Sequence, residues 1–327
     1  MRALVAGAAG FLGSHLCDRL RSDGVEVLGF DNLDTGRYQN IAHLDGDPGF
    51  RFFEHDITQP IAAAELDPLD VIFNMACPAS PFAYQRDPLF TLETNYVGTR
   101  NLLEVAREHG AIILQASTSE VYGDPTIHPQ VESYWGNVNC FGPRSCYDEG
   151  KRVAETLMLE YSRRYRLRVK VVRIFNTYGP RMDPEDGRIV SSFIVQALRG
   201  EPITIFGDGS QTRSLCYVDD LVGGLVRMVA SEPAFTGPVN LGSPEELTVL
   251  DTARIIKEMT GSRSPTVFKD LPQDDPMKRK PDISLAESKL GWRPKVPFTK
   301  GAAPTIDYFR GAIGETPTGS GPVFPGR

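Results

Sequence analysis

The chain has 327 residues, of which 41% are hydrophobic and 24% charged, a composition typical of a globular protein with one large domain or two smaller ones. A net charge of −7 argues against nucleic-acid or membrane-surface binding, and no apolar run is long enough to span a bilayer. Five scattered cysteines lack metal-type spacing and no signal-peptide pattern opens the chain, so we expect a cytoplasmic protein with reduced thiols and no metal site.

The first predicted unit is a strand, a glycine-rich turn and a helix. Residues 2–6 form an apolar run typical of a buried strand, and a helical pattern spans residues 13–23. Between them Gly7, Gly10 and Gly13 follow a G-x-x-G-x-x-G spacing. Glycines at such positions permit a tight turn, close approach of backbone to a pyrophosphate, and close packing of helix on strand. The helix N-terminus adds amide donors for the phosphates, so the unit predicts a dinucleotide site.

The residue that closes the second predicted strand indicates which dinucleotide binds. Residues 25–30 lead to Asp31, whose carboxylate can accept from a ribose hydroxyl and would repel a 2′-phosphate. Asp31 therefore favours NAD over NADP. NADP stays an alternative because the positively charged Arg37 lies nearby in the sequence. A third strand at residues 50–53 leads to Asp56, placed to meet the adenine amino group.

Further alternation of strands and helices predicts an α/β fold, a Rossmann-type doubly wound parallel sheet with a smaller C-terminal α/β lobe for substrate. We expect an NAD-binding domain at residues 1–180, a substrate-binding lobe at residues 181–312 and a disordered tail at residues 313–327. The remaining predicted strands are 71–75, 112–116, 169–174, 203–206 and 239–241; the helices are 88–109, 146–166, 191–199, 221–230 and 249–259; and residues 273–283 are a predicted loop.

Tyr147 and Lys151 are four residues apart on a predicted helix, so both side chains face one bound molecule. A lysine ammonium beside a phenol favours the phenolate, so we expect the pKa of Tyr147 to fall from about 10 toward neutrality. Such a phenol can take a proton from a hydroxyl and return it. The strand at residues 112–116 delivers Thr118, Ser119 and Glu120 to the same edge of the sheet, where ligands of such folds bind.

Four motifs carry a resemblance to a known family. They are A-S-T-S-E-V-Y-G-D-P at residues 116–125, S-C-Y-D-E-G-K-R-V-A-E at 145–155, R-I-F-N-T-Y-G-P-R at 173–181 and D-D-P-M-K-R-K-P-D-I at 274–283. Over about residues 1–310 the chain resembles the extended short-chain dehydrogenases/reductases that act on nucleotide sugars. Within that class it is most similar to the UDP-glucuronate decarboxylase (UDP-xylose synthase) family, because the first and last motifs separate that family from its relatives.

The resemblance implies decarboxylation of UDP-glucuronate to UDP-xylose through a 4-keto sugar, with NAD regenerated and tightly held. Tyr147 then takes the proton of the sugar 4-hydroxyl, Lys151 acidifies the tyrosine and binds the nicotinamide ribose, and Thr118 bonds the reacting oxygen. Glu120 handles the proton that reaches carbon 5, and Arg279 clamps the sugar carboxylate. The implied catalytic set is Thr118, Ser119, Glu120, Tyr147, Lys151 and Arg279.

Binding residues follow from the same resemblance. UDP is expected at Asn176, Arg188, Phe206, Gln211 and Arg213, with Arg279 at the sugar. NAD is expected at Gly7, Gly10, Phe11, Leu12, Gly13, Asp31, Asn32, Thr35, Gly36, Asp56, Ile57, Met75, Cys77, Thr94, Tyr147, Lys151 and Thr177. Glu93 replaces a lysine that usually reaches the substrate, and Cys77 replaces a serine near NAD, so the exact sugar stays open.

Alternative functions also fit the fold. The 4,6-dehydratases use an acid where this chain has Ser119, and the 4-epimerases usually lack a residue such as Glu120. A decarboxylase that stops at the 4-keto pentose would release NADH. A non-catalytic dinucleotide-sensing protein would typically lack the tyrosine or the lysine, and both are present here.

The resemblance also implies a homodimer, because two helices of each subunit commonly form a four-helix interface in this class. These are the helices at residues 88–109 and 146–166. Candidate interface residues are Leu89, Leu92, Leu103, Leu157 and Leu159, although each could instead pack on the sheet.

Overall fold

A computed structural model of the chain describes residues 1–271 and 278–314. Its strands are β1 (Arg2–Ala6), β2 (Glu26–Asp31), β3 (Phe50–Glu54), β4 (Val71–Asn74), β5 (Ile112–Thr118), β6 (Val169–Ile174), β7 (Thr177–Tyr178), β8 (Ile203–Phe206), β9 (Thr212–Ser214), β10 (Cys216–Tyr217), β11 (Val239–Leu241), β12 (Glu246–Thr248), β13 (Thr266–Lys269) and β14 (Lys278–Arg279). Its α-helices are α1 (Phe11–Ser22), α2 (Pro81–Arg86), α3 (Pro88–Glu93), α4 (Thr99–His109), α5 (Ser145–Tyr165), α6 (Ile189–Arg199), α7 (Val218–Val229), α8 (Val249–Thr260), α9 (Ser284–Leu290) and α10 (Phe298–Gly314).

Within the described residues, seven parallel strands form the central sheet in the order β11-β6-β5-β4-β1-β2-β3. Its inner strands are apolar on both faces because helices cover both sides. Leu4 and Ile72 pack toward α4 and α5, whereas their neighbours Val5 and Phe73 pack in the cluster that includes α1 and α7. Each such buried side chain contributes about 1.5–3 kcal/mol of hydrophobic stabilisation. The Rossmann-type α/β prediction is confirmed.

The predicted helix at residues 88–109 is divided in the structure by a π-helical segment, Thr94–Gly98. Two side chains there bond to carbonyls of the preceding turn. Thr94 Oγ1 donates to Phe90 O at 2.8 Å, and Asn95 Nδ2 donates to Thr91 O at 2.9 Å. Such bonds compete with the regular helical ladder, and π segments are frequent at functional sites.

The segment after residue 180 both extends the main sheet and builds smaller ones. β11 pairs in parallel with β6, so the chain returns to the central sheet from the predicted substrate lobe. β9 pairs with β12 and with β14, and β8 pairs with β13. The predicted loop at residues 273–283 is therefore wrong at residues 278–279, because strand pairing there depends on a distant partner. The division of the chain at residue 180 stays a prediction.

The sequence did not predict α10, because Pro304 lies inside it and interrupts the helical pattern. The helix is nevertheless held by burial of Ile306 and Phe309. It extends to Gly314, so residues 313–314 of the tail predicted to be disordered are helical. Residues 315–327 of that tail and residues 274–277 of the fourth motif lie outside the described residues. No helix in the described part of the chain is both long and apolar enough to cross a bilayer.

Candidate functional site

A cleft follows the carboxyl ends of the central strands. It has two parts, of about 610 and 640 Å³, which join at shared lining residues that include Phe11, Met75, Cys77 and Arg188. Each part is of the size that a small-molecule site needs. We call them the glycine-turn part and the helix α5 part, after the element that lines each one.

The glycine turn fits a pyrophosphate. Gly7 has a φ of +83°, and a Cβ built on Gly13 would lie 1.9 Å from the Gly7 carbonyl oxygen. A side chain at either position would therefore push the turn away from the strand. Gly10 is the N-cap of α1, which has no capping side chain and no acidic residue in its first turn. The positive end of the helix is thus available to an anion.

Asp31 fixes the turn to the end of β2. Its side chain accepts from the backbone N–H of Ala9 and of Leu33, both at 2.9 Å. A Cβ on Gly36 would lie 2.6 Å from the Asp31 carboxylate, so glycine is required for this approach. Burial raises the pKa of Asp31, while the backbone donors oppose that shift. The contact of Asp31 with a ribose stays a prediction.

The other predicted cofactor residues lie around this turn. Asp56 accepts from Asn32 Nδ2 at 3.0 Å and from Thr58 N at 2.8 Å, so its carboxylate is held at the edge of the cleft. Lining the glycine-turn part are Gly7, Gly10, Phe11, Leu12, Gly13, Asp31, Asn32, Thr35, Gly36, Asp56, Ile57, Met75, Cys77 and Thr94, while Tyr147, Lys151 and Thr177 line the helix α5 part. All seventeen are brought to one cleft, and their individual contacts stay predictions.

Two surface ion pairs connect opposite sides of the glycine-turn part. Arg86 Nη2 lies 2.5 Å from Asp34 Oδ1, and Arg37 Nη2 lies 2.7 Å from Asp183 Oδ1. The charge of Arg37 is therefore already paired with a carboxylate. This pairing disfavours the alternative in which Arg37 binds a 2′-phosphate.

Tyr147 and Lys151 project from one face of α5 into the cleft, as their spacing predicts, and both are buried. Lys151 Nζ donates to Ala116 O at 3.1 Å and lies 5.7 Å from the centre of the Tyr147 ring. Thr118 hydrogen-bonds the phenol. The ring of Tyr84 stacks on that of Tyr147 with centroids 4.9 Å apart, which fixes the orientation of the phenol.

The prediction that the pKa of Tyr147 falls is wrong when only the groups of the protein act on the phenol. Burial raises the pKa of Tyr147 well above 10, and the neighbouring Cys77 and Glu120 add to that rise. The hydrogen bond with Thr118 opposes it. The ammonium of Lys151 is directed at the Ala116 carbonyl rather than at the phenol oxygen, which explains why spacing alone misled.

Glu120 is the centre of a buried charge cluster. Its carboxylate lies 2.6 Å from Arg144 Nη2 and 3.3 Å from Arg279 Nη1, and it shares a hydrogen bond with Asp148. Although burial favours the neutral acid, the two guanidiniums lower the pKa of Glu120 to about 2. Burial and the charge of Glu120 raise the pKa of Asp148 to about 8. At neutral pH the opposite shifts of these two pKa values place the negative charge on Glu120, between the two guanidiniums, and leave Asp148 mainly protonated.

The predicted substrate residues line the helix α5 part of the cleft. Arg213 and Arg279 are neighbours across the β9–β14 pair, and Arg188 holds its guanidinium 5.7 Å from the Phe11 ring. Gln211 donates to Phe206 O, while its own Oε1 is buried with no hydrogen-bond partner among the described residues. A buried acceptor of this kind suits a ligand N–H. The residues in question are Asn176, Arg188, Phe206, Gln211, Arg213 and Arg279.

Sequence reasoning missed Arg144, Asp148 and Tyr84 as parts of the site. A signal existed for two of them, because residues 144, 148 and 151 share a helical face by spacing. Conversely, the concern over Glu93 is not supported, since Glu93 is exposed and lines neither part of the cleft.

Comparison with known proteins gives the class. Residues 3–242 match the model of the NAD dependent epimerase/dehydratase family. The chain belongs to this family, which confirms the predicted cofactor, NAD. The Gly7–Gly13 turn and the Asp31 carboxylate fit that cofactor.

Individual relatives are more specific. The chain is 51% identical to UDP-glucuronic acid decarboxylase 4 of Arabidopsis thaliana over 95% of its own length and 69% of that protein. It is 51% identical to UDP-glucuronic acid decarboxylase 1 of Xenopus tropicalis over 94% of its length and 72% of that protein. Among solved structures, UDP-glucuronic acid 4-epimerase of Bacillus cereus, in complex with UDP-glucuronic acid and NAD, matches with a TM-score of 0.87 at 28% identity, over 95% of this chain and 100% of that chain.

Replacing Gly13 by alanine should weaken NAD binding about tenfold or more, because the new Cβ would force Gly7 away from the helix N-terminus. Isothermal titration of the cofactor-free protein with NAD measures this. Gly223→Ala in α7 is the matched control, because a Cβ there meets no neighbouring atom and NAD affinity should not change. Equal affinities of the two variants would contradict the role of the turn.

Binding of oxidised NAD should lower the pKa of Tyr147, because a cationic ring in the cleft favours the phenolate. The pKa can be followed by NMR of ¹³C-labelled tyrosine, with and without NAD, using Tyr147→Phe to assign the signal. A pKa that does not move on NAD binding would contradict the assigned acid–base role.

Proposed function

We propose that the protein converts UDP-glucuronate to UDP-xylose and CO₂, with NAD as a regenerated cofactor. The observation that carries this function is the buried cluster around Glu120, in which the Arg279 guanidinium lines the cleft together with Tyr147 and Thr118. A sugar carboxylate complements that charge. The two decarboxylase relatives, each 51% identical over more than nine-tenths of this chain, support the assignment.

The first step is proton removal from the sugar 4-hydroxyl. Tyr147 is the base, and Thr118 hydrogen-bonds the phenol and is placed to hold the reacting oxygen. Lys151 is positioned on the same helical face to bind the cofactor ribose. When bound, NAD accepts a hydride from carbon 4 and later gives it back.

Loss of CO₂ follows from the chemistry of the oxidised sugar. Once carbon 4 is a ketone, the carboxylate on carbon 5 is that of a β-keto acid, and the electrons of the breaking bond enter an enolate. Arg279 orients the carboxylate, while protonated Tyr147 and Thr118 stabilise the developing oxyanion. Glu120 then manages delivery of a proton to carbon 5.

In the last step Tyr147 returns its proton to the oxygen on carbon 4, and the cofactor would be regenerated in place. A cofactor that is regenerated in place gains nothing from leaving the protein between turnovers. The Arg86–Asp34 and Arg37–Asp183 pairs across the glycine-turn part support its retention.

Incubation of the purified protein with UDP-glucuronate should give UDP-xylose, one CO₂ per turnover and no net NADH, as identified by mass spectrometry and NMR. Tyr147→Phe should lower turnover about 10²–10⁴-fold while NAD stays bound, because the phenol oxygen is the proton acceptor. A product that keeps six sugar carbons would contradict the function. Stoichiometric NADH with a 4-keto pentose would instead show that the reaction stops early.

We also propose a homodimer built on α3 and α5. Leu89, Leu92 and Tyr96 recur on one face of α3 and its π-helical extension, and all three are exposed, as is Leu159 on α5. Large apolar side chains that are exposed at helical spacing favour burial against a second copy. Leu103 does not belong to this set, because that side chain is fully buried against the sheet, and Leu157 is partly buried against the same core.

The double variant Leu89→Glu/Leu92→Glu should be monomeric where the unaltered protein is dimeric, because four charges would enter the four-helix interface. Light scattering coupled to size-exclusion chromatography measures the mass. Leu250→Glu, at an equally exposed leucine on α8, is the control and should leave the mass unchanged. If the Leu89→Glu/Leu92→Glu variant remained dimeric, the interface would lie elsewhere.

We place the protein in the cytoplasm. Its five cysteines are unpaired, as expected where thiols stay reduced.

A further inference from the structure

The overall decarboxylation consumes a proton that the residues assigned so far do not supply. The 5-carboxylate enters ionised, its carbon leaves as CO₂, and a new C–H bond forms at carbon 5. The proton that Tyr147 takes from the 4-hydroxyl is needed again when the ketone is reduced. A second proton must therefore enter the site in every turnover.

Glu120 alone is a poor source of that proton. Its carboxylate lies between Arg144 and Arg279, and their charges lower the pKa of Glu120 to about 2, so it is ionised at neutral pH. An ionised carboxylate has no proton of its own to give, so it can relay a proton only if another group supplies one to it.

Asp148 is the carboxyl group in contact with Glu120. It lies on the turn of α5 between Tyr147 and Lys151, with 6% of its surface exposed, and it shares a hydrogen bond with Glu120. One of its oxygens, Oδ1, is buried with no hydrogen-bond partner among the described residues. Two adjacent buried carboxyl groups cannot both ionise at low cost, so one of them keeps a proton.

The neighbouring charged groups decide which of the two carboxyl groups, Glu120 or Asp148, keeps the proton. Both guanidiniums bond to Glu120, and their charges lower the pKa of Asp148 by less than its burial raises it. The phenol of Tyr84 and the thiol of Cys146, which also face this region, are buried and neutral at physiological pH. The proton therefore resides on Asp148, whose pKa is raised to about 8.

We propose that Asp148 stores the proton that Glu120 delivers to carbon 5, an inference that rests on the proposed decarboxylase function. As the C5–C6 electron pair passes into the enolate and CO₂ leaves, Glu120 protonates carbon 5, directly or through a water molecule. The O–H bond of Asp148 breaks as its proton passes to Glu120. Asp148 is then reprotonated from solvent, which balances the one proton consumed. It acts through Glu120 and does not touch the sugar.

The stored proton gives the reaction a specific pH dependence. Asp148 is protonated below about pH 8 and loses its proton above it, so the carbon 5 step should slow as the pH rises through that value. Oxidation at carbon 4 uses Tyr147 and Thr118 and should not share this dependence.

The test compares unaltered protein with two variants. Asp148→Asn keeps a hydrogen-bond donor to Glu120 but has no acidic proton. Glu149→Gln, at the next residue of α5, is the control. In single turnovers with UDP-glucuronate, all three should form NADH at similar rates. In Asp148→Asn the rate at which NADH later disappears should be about a hundredfold lower than in unaltered protein. The decrease of that rate above pH 8, expected for unaltered protein, should be absent from the variant. The proposal would be overturned if NADH disappeared from Asp148→Asn at the rate of unaltered protein and if that rate decreased above pH 8 in the same way.

An infrared measurement tests the proton without any turnover. Unaltered protein with ¹³C-labelled aspartate should show a protonated-carboxyl band at neutral pH that is lost as the pH rises through about 8 and is absent from Asp148→Asn. Absence of the band from unaltered protein would overturn the proposal even if the variant did not fold. If unaltered protein forms neither NADH nor UDP-xylose from UDP-glucuronate, the proposed function itself fails, and the role of this proton fails with it.

Discussion

The buried pairing of Glu120 with two guanidiniums is the interaction on which the site depends. An isolated carboxylate at this depth would lose several kcal/mol of hydration, which only close, hydrogen-bonded cations offset. Both arginines follow Glu120 in the chain, one of them 24 residues and the other 159 residues later. Arg144 precedes α5, and Arg279 lies 159 residues beyond Glu120 on β14. Formation of the pair therefore ties the end of the central sheet, the catalytic helix and the C-terminal segment together.

This arrangement also explains how one cleft can serve two ligands. The glycine-turn part presents a helix N-terminus and the fixed Asp31 carboxylate, which suit phosphates and a ribose respectively. The helix α5 part presents the Arg279 guanidinium beside Glu120, which suits a sugar carboxylate. Because the two parts meet at Phe11, Met75 and Cys77, the reacting carbon and the cofactor can be brought together without a large movement of the protein.

Local sequence patterns predicted the features that depend on neighbours in the chain. The glycine spacing gave the turn and the cofactor, strand–helix alternation gave the sheet, and the 147–151 spacing gave the shared face of α5. What failed depends on contacts between distant segments. The strand pairing of residues 278–279 and the direction of the Lys151 ammonium toward Ala116 are set by tertiary packing. Arg144 and Asp148 were missed although their spacing places them on the helical face of Lys151, because a charged residue beside a helix start is ordinarily solvated.

The central claim is that the Glu120 cluster recognises a carboxylate on the sugar. Its most direct test is the affinity of NAD-loaded Tyr147→Phe protein, in which chemistry is blocked, for UDP-glucuronate and for UDP-glucose by isothermal titration. These ligands differ at carbon 6, where one has a carboxylate and the other a hydroxymethyl group. A charge-assisted pair with Arg279 predicts at least about tenfold tighter binding of UDP-glucuronate. Equal affinities would contradict the claim.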